Sequence, residues 1–209
     1  MKSRTTLWLG LATLAGCGGI AYTPPAPARF AESSVVVPLS RSDAWKAIIP
    51  TLGKSFFVVN NLDQSSGFIN VSYSGDPEQY VDCGAISSTV KNAQGERSYT
   101  FPASRARQSY EMVEGARYYT VLRLMALEGR ANLVLEEIAK DSSRFTVTVR
   151  YALTKTTQTQ GSAAHSEVVS FNTAGMATFA NQNDTMCRPT GLLEHELLAL
   201  SGVARRPTQ

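Results

Sequence analysis

The chain has 209 residues, of which 43% are hydrophobic and 18% charged. That excludes a wholly disordered chain and allows one domain with a sizeable core, or two small ones. The formal charge of +3 comes from 20 basic and 17 acidic side chains. Lys2 and Arg4 fall in a segment read below as a removable leader, and without them 18 basic face 17 acidic residues. This balance is too even for phosphate-driven binding, so no nucleic-acid partner is expected.

Residues 1–17 read MKSRTTLWLGLATLAGC. Lys2 and Arg4 form a positive start, and Leu7 to Leu14 form an apolar run too short for a ~30 Å hydrocarbon core. The segment therefore reads as a secretory leader. Its end, Leu14-Ala15-Gly16-Cys17, resembles the lipobox of bacterial lipoproteins. That resemblance implies cleavage after residue 16 and lipidation of Cys17, which would anchor the chain through several acyl chains. Gly18 rather than Asp follows the cysteine, and in that family this implies the outer membrane. Beyond residue 17 no stretch is apolar for long enough to span a bilayer. Residues 17–33 contain Gly18, Gly19, Pro24, Pro25 and Pro27, and read as a tether reaching about 50 Å at ~3.1 Å per residue.

Val35, Val36 and Val37 predict a strand. Ser40 then stands at an N-cap position with Asp43 three residues on, and Trp45, Ile48, Ile49 and Leu52 share one helical face. Pro50 predicts a kink or early end, and Gly53 a stop. Residues 56–62 and 68–73 flank DQSSG as a β-hairpin. Residues 84–117 are polar and interrupted by Pro102, so they read as a long insertion. Residues 118–128 and 133–139 are strand-like. From Phe145 to Thr154 apolar and polar residues alternate without a fault, which predicts a strand with one buried face. Glu167 to Asn172 form another strand, and Leu192 to Ser201 a closing helix carrying Leu193, Leu197 and Leu200. Residues 203–209 are a short basic tail.

This order predicts one α+β domain over 34–202: an antiparallel sheet with helices packed on one face. With Asp43-Ala44-Trp45 opening the first helix and QSSGFINVSY forming the hairpin, the domain resembles the helix-grip domain of the C subunit of the β-barrel assembly machinery. The resemblance implies an envelope role through protein contacts.

With Cys17 assigned to lipid, Cys83 and Cys187 remain, and an exported chain favours a disulfide between them. No C-x-x-C, H-E-x-x-H, G-x-S-x-G or P-loop motif occurs. His165 and His195 read as surface residues, and adjacent Glu136 and Glu137 point to opposite faces of a strand. No catalytic residue, metal ligand or cofactor is assigned, and no enzymatic activity is expected. The reading is a lipid-anchored structural or accessory subunit at the periplasmic face of the outer membrane. Its partner-binding residues are placed on the long insertion at Phe101, Arg105 and Tyr110, because Tyr and Arg are enriched at binding hot spots. The alternative is a module holding an apolar ligand between its sheet and C-terminal helix, tested by whether the Phe145–Leu153 face is fully packed.

Overall fold

The computed structural model describes residues 18–26, 32–115, 117–180 and 185–202. The expected leader, Cys17 and residues 203–209 lie outside the described residues. In chain order the elements are β1 (Gly18–Thr23), β2 (Ser34–Val37), α1 (Arg41–Leu52), β3 (Val58–Asp63), β4 (Phe68–Gly75), β5 (Val81–Asp82), β6 (Ala85–Asn92) and β7 (Gly95–Pro102). They continue with β8 (Arg107–Glu114), β9 (Arg117–Ala139), β10 (Ser142–Thr159), β11 (His165–Asn172), β12 (Ala177–Phe179), β13 (Thr185–Pro189) and α2 (Leu192–Ala199).

A ribbon of two long antiparallel strands organises the chain. β9 and β10 pair from Val121↔Thr159 to Ala139↔Ser142. The outer edge of β9 takes β8 against its first half and β4 against its second. The outer edge of β10 takes β2 near its start and β11 further along. Because side chains alternate across a strand, the ribbon presents one continuous inward row, buried from Val121 to Leu135 on β9 and from Phe145 to Lys155 on β10.

Two different covers seal that row. At one end Trp45, Ile48 and Leu52 of α1 and Leu193 and Leu197 of α2 join the core. At the other end the sheet β1-β6-β7 lies over β8, and Ile20 and Ile86 share a cavity with Arg123 and Lys155 of the ribbon. A third small sheet, β12-β13-β5, is tied in by a disulfide between Cys83 and Cys187, whose Cα atoms are 4.0 Å apart. This is the expected pairing, and it is consistent with an extracellular or periplasmic protein.

The expected α+β class is overturned. Of the described residues 61% are strand and 11% helical, in two short helices, so this is a β-rich fold rather than a sheet covered by helices. The main reason is residues 84–117, read as a polar insertion but folded as β6, β7 and β8. Each of these strands buries one face only, so few apolar residues suffice. Ile86 and Val90 point inward with Ser88 between them, and the buried Ser88 hydroxyl donates to the Glu111 carbonyl at 2.6 Å. The first part of the expected tether is also ordered structure. Gly18–Thr23 pairs with β6 in register from Gly18↔Val90 to Thr23↔Ala85.

The two strands expected over 118–128 and 133–139 are one. At Gly129, in the middle, a Cβ would stand 3.2 Å from Leu193 Cδ2, so the glycine lets α2 approach the strand. Elsewhere local rules hold. Ser40 Oγ accepts from the Asp43 amide at 3.2 Å and caps α1. Pro50 falls in the last turn, and the helix runs past it to Leu52 before Gly53 ends it. The DQSSG turn closes the β3–β4 hairpin. There the Asp63 carboxylate accepts from the Ser65 and Ser66 hydroxyls, which pulls its pKa down to about 2.

Candidate functional site

Under the β1-β6-β7 sheet the inward row changes character. Reading β9 from its centre toward its start gives Leu127, Met125, Arg123 and Val121; reading β10 forward gives Leu153, Lys155 and Thr157. Two cations thus stand where the pattern calls for apolar residues. Arg123 lies directly opposite Thr157, and Lys155 opposite Met125, so the cations are diagonal neighbours.

Their partners differ. Lys155, 3% exposed, pairs with Glu167 of β11 at 2.7 Å and lies 4.6 Å over the Phe179 ring. Arg123 is 5% exposed and has no carboxylate within ion-pair distance among the described residues. Its Nη2 donates to the Ala103 carbonyl at 2.8 Å, whereas its buried Nε finds no acceptor. Burial pulls the Arg123 pKa down, and the Tyr110 and Tyr22 phenols push back in its favour. A charge taken from water without a counter-charge is costly, so a buried guanidinium served by one carbonyl is an unusual arrangement.

Beside it is a cavity of about 260 Å³ between β1-β6 and the ribbon. Ile20, Ile86, Met112, Val113 and Tyr110 give it an apolar wall, Arg123 and Lys155 line its floor, and exposed Glu114 belongs to its lining. Tyr22, two residues beyond Ile20, fixes β1 over this end: its hydroxyl donates to the Met186 carbonyl and accepts from the Met186 amide.

The proposed contact residues lie elsewhere than expected. Phe101 and Tyr110 are 3% and 6% exposed and pack on each other with ring centroids 5.1 Å apart. They belong to the core, because β7 and β8 turn these positions inward. Arg105 is half-buried, donating to Gln108 and facing Glu78 at 3.5 Å. Tyr110 alone joins the cavity. The space proposed for a ligand between sheet and closing helix is filled. Phe145, Val147, Val149, Tyr151 and Leu153 are each 0% exposed. Buried Glu194 of α2 accepts from the Tyr151 hydroxyl at 2.7 Å, which ties helix to ribbon.

The opposite, outward face of the ribbon is polar and open. Arg130 and Arg150 stand directly opposite one another, both exposed, among Asn70, Ser72, Asn132 and Asn172. Neither guanidinium has a hydrogen bond or ion pair among the described residues. Like charges in register are unfavourable, and although exposed Glu128 lines the same surface, it makes no ion pair with either guanidinium.

No group of three or more His, Cys, Asp or Glu able to hold a metal occurs among the described residues. No helix among them is long and apolar enough to cross a membrane. The chain matches no protein-family model, no curated protein and no solved structure, so the chemistry of both surfaces rests on their own residues.

Proposed function

We propose that this chain is a lipid-anchored protein of the bacterial outer membrane whose folded domain serves, without catalysis, as a structural or accessory subunit of an envelope assembly. The Leu14–Cys17 lipobox supplies the anchor, and the disulfide between Cys83 and Cys187 agrees with an oxidising compartment. The observation that carries the docking role is the Arg130–Arg150 pair. Two exposed cations in cross-strand register, set among hydrogen-bonding side chains and without an ion pair among the described residues, suit an acidic protein surface that neutralises both.

The test has two arms. Acyl labelling of the wild type and of Cys17→Ser reads the anchor, which requires label on the first and none on the second. Crosslinking in membranes followed by copurification reads the docking. Arg130→Ser with Arg150→Ser should lose the crosslinked partner while Tm does not fall by more than about 2 °C, since exposed substitutions cost little and a like-charge pair is relieved. Undiminished crosslinking of the double variant would refute the docking face.

A further inference from the structure

From the cavity under the β1-β6-β7 sheet we infer a binding site for a short-chain organic carboxylate, with Arg123 as its anion-binding residue. This goes beyond the docking role and does not depend on it.

Three independent features converge. The first is charge: Arg123 is buried, and among the described residues no carboxylate lies within ion-pair distance of it and its Nε has no acceptor. A guanidinium offers planar, directional donors, and a carboxylate matches them. The nearby Lys155 adds positive potential, although Glu167 offsets its own charge. The second is shape. A void of about 260 Å³ adjoins that guanidinium, slightly below the usual ~300–1,000 Å³ for drug-sized ligands, so the occupant is small. The third is the wall. Ile20, Ile86, Met112 and Val113 are aliphatic or thioether groups on one side of the void, opposite a polar side of Arg123, Lys155 and Thr157, and this division suits an anionic head with a short hydrocarbon tail.

A free inorganic anion would leave the apolar wall unused. A neutral acyl chain, including one on the protein's own N-terminus, would leave the guanidinium uncompensated. A monocarboxylate with a short tail satisfies both. Glu114 in the lining disfavours a second carboxylate on the ligand.

The test uses the full chain in lipid nanodiscs, titrated calorimetrically with hexanoate, 1-hexanol and inorganic phosphate. Empty discs provide the partitioning reference. Hexanoate is expected to bind roughly ten- to hundredfold more tightly than hexanol, the range of one charge-assisted hydrogen-bond set. Phosphate should bind more weakly than hexanoate by at least about tenfold. Arg123→Met should bring hexanoate down to the level of hexanol. Ile20→Trp, at a half-buried position on β1, should weaken hexanoate by filling the cavity without touching Arg123. Equal binding of hexanoate and hexanol, or no heat from hexanoate, overturns the inference even if Arg123→Met fails to fold. Phosphate binding as tightly as hexanoate overturns the role of the tail. Unchanged hexanoate affinity in Ile20→Trp overturns the location.

Discussion

Removing the disulfide should expose how much of this fold depends on one covalent link. Cys83 and Cys187 are 104 positions apart, and both are fully buried. In the chain-entropy model, a closed loop of ~100 residues restricts the unfolded ensemble by about 4.7 kcal/mol. Cys83→Ala with Cys187→Ala leaves no buried hydroxyl behind and removes two sulfur atoms from the core, so lost packing adds to that figure. The expected loss is about 4–6 kcal/mol, in a domain class whose total stability is typically about 5–15 kcal/mol. At roughly 2–4 °C per kcal/mol for a chain of this size, Tm should fall by about 10 °C or more. Urea unfolding of wild type with and without reductant, beside the double variant, measures it. Reduced wild type and the variant should agree within about 1 kcal/mol. A loss below about 1 kcal/mol, or free thiols in the denatured, unreduced wild type, would refute the reasoning.

Three other outcomes follow from buried positions. Phe101→Ala should cost about 3–5 kcal/mol by urea unfolding, because it empties a fully enclosed site rather than a contact surface. Gly129→Val should cost about 1–3 kcal/mol, since the added atoms press on Leu193 of α2, and Leu193→Ala should cost less in that chain than in the wild type. Burial raises the Glu194 pKa above its ordinary value, so the folded state holds a proton more tightly than the unfolded one. Stability is then greatest below the ordinary carboxyl pKa and falls as pH rises from there toward the folded value. Glu194→Gln, which keeps an acceptor for Tyr151, should flatten that decline when unfolding is followed from about pH 4 to about pH 8.

What the sequence made legible was the part with a strong single period. The alternation from Phe145 to Thr154 identified the heart of β10, and Ser40 with Asp43 located the start of α1. The β1-β6-β7 sheet escaped because thin cover strands bury one side only. Gly-Gly-Ile-Ala-Tyr-Thr reads as linker unless Ile20 and Tyr22 are noticed as an alternating pair. The cavity did leave a signal. Extending the period of two from Leu153 reaches Lys155, and extending it back from Leu127 reaches Arg123, so both cations were already in the inward register. Their partners were not legible: Glu167 comes from the next strand, and the Ala103 carbonyl lies 20 residues from the guanidinium it serves. The burial of Phe101 and Tyr110 was likewise a matter of long-range packing, since hot-spot residue types are also core residue types.

The start of β1 at Gly18 bears on how the domain would explore its surroundings. Were Cys17 acylated as proposed, only one peptide link, about 3.8 Å between Cα atoms, would separate the lipid from a hydrogen-bonded strand. The domain would then be riveted to the bilayer rather than leashed to it, swivelling about a near-fixed point instead of sweeping a hemisphere tens of ångströms wide. Encounters with another membrane-resident protein would become a search in two dimensions at a set height, with much of the orientational freedom surrendered before contact. Inserting a flexible Gly-Ser segment between Cys17 and Gly18 would restore that freedom, and the change in crosslinking yield would measure what the rivet contributes.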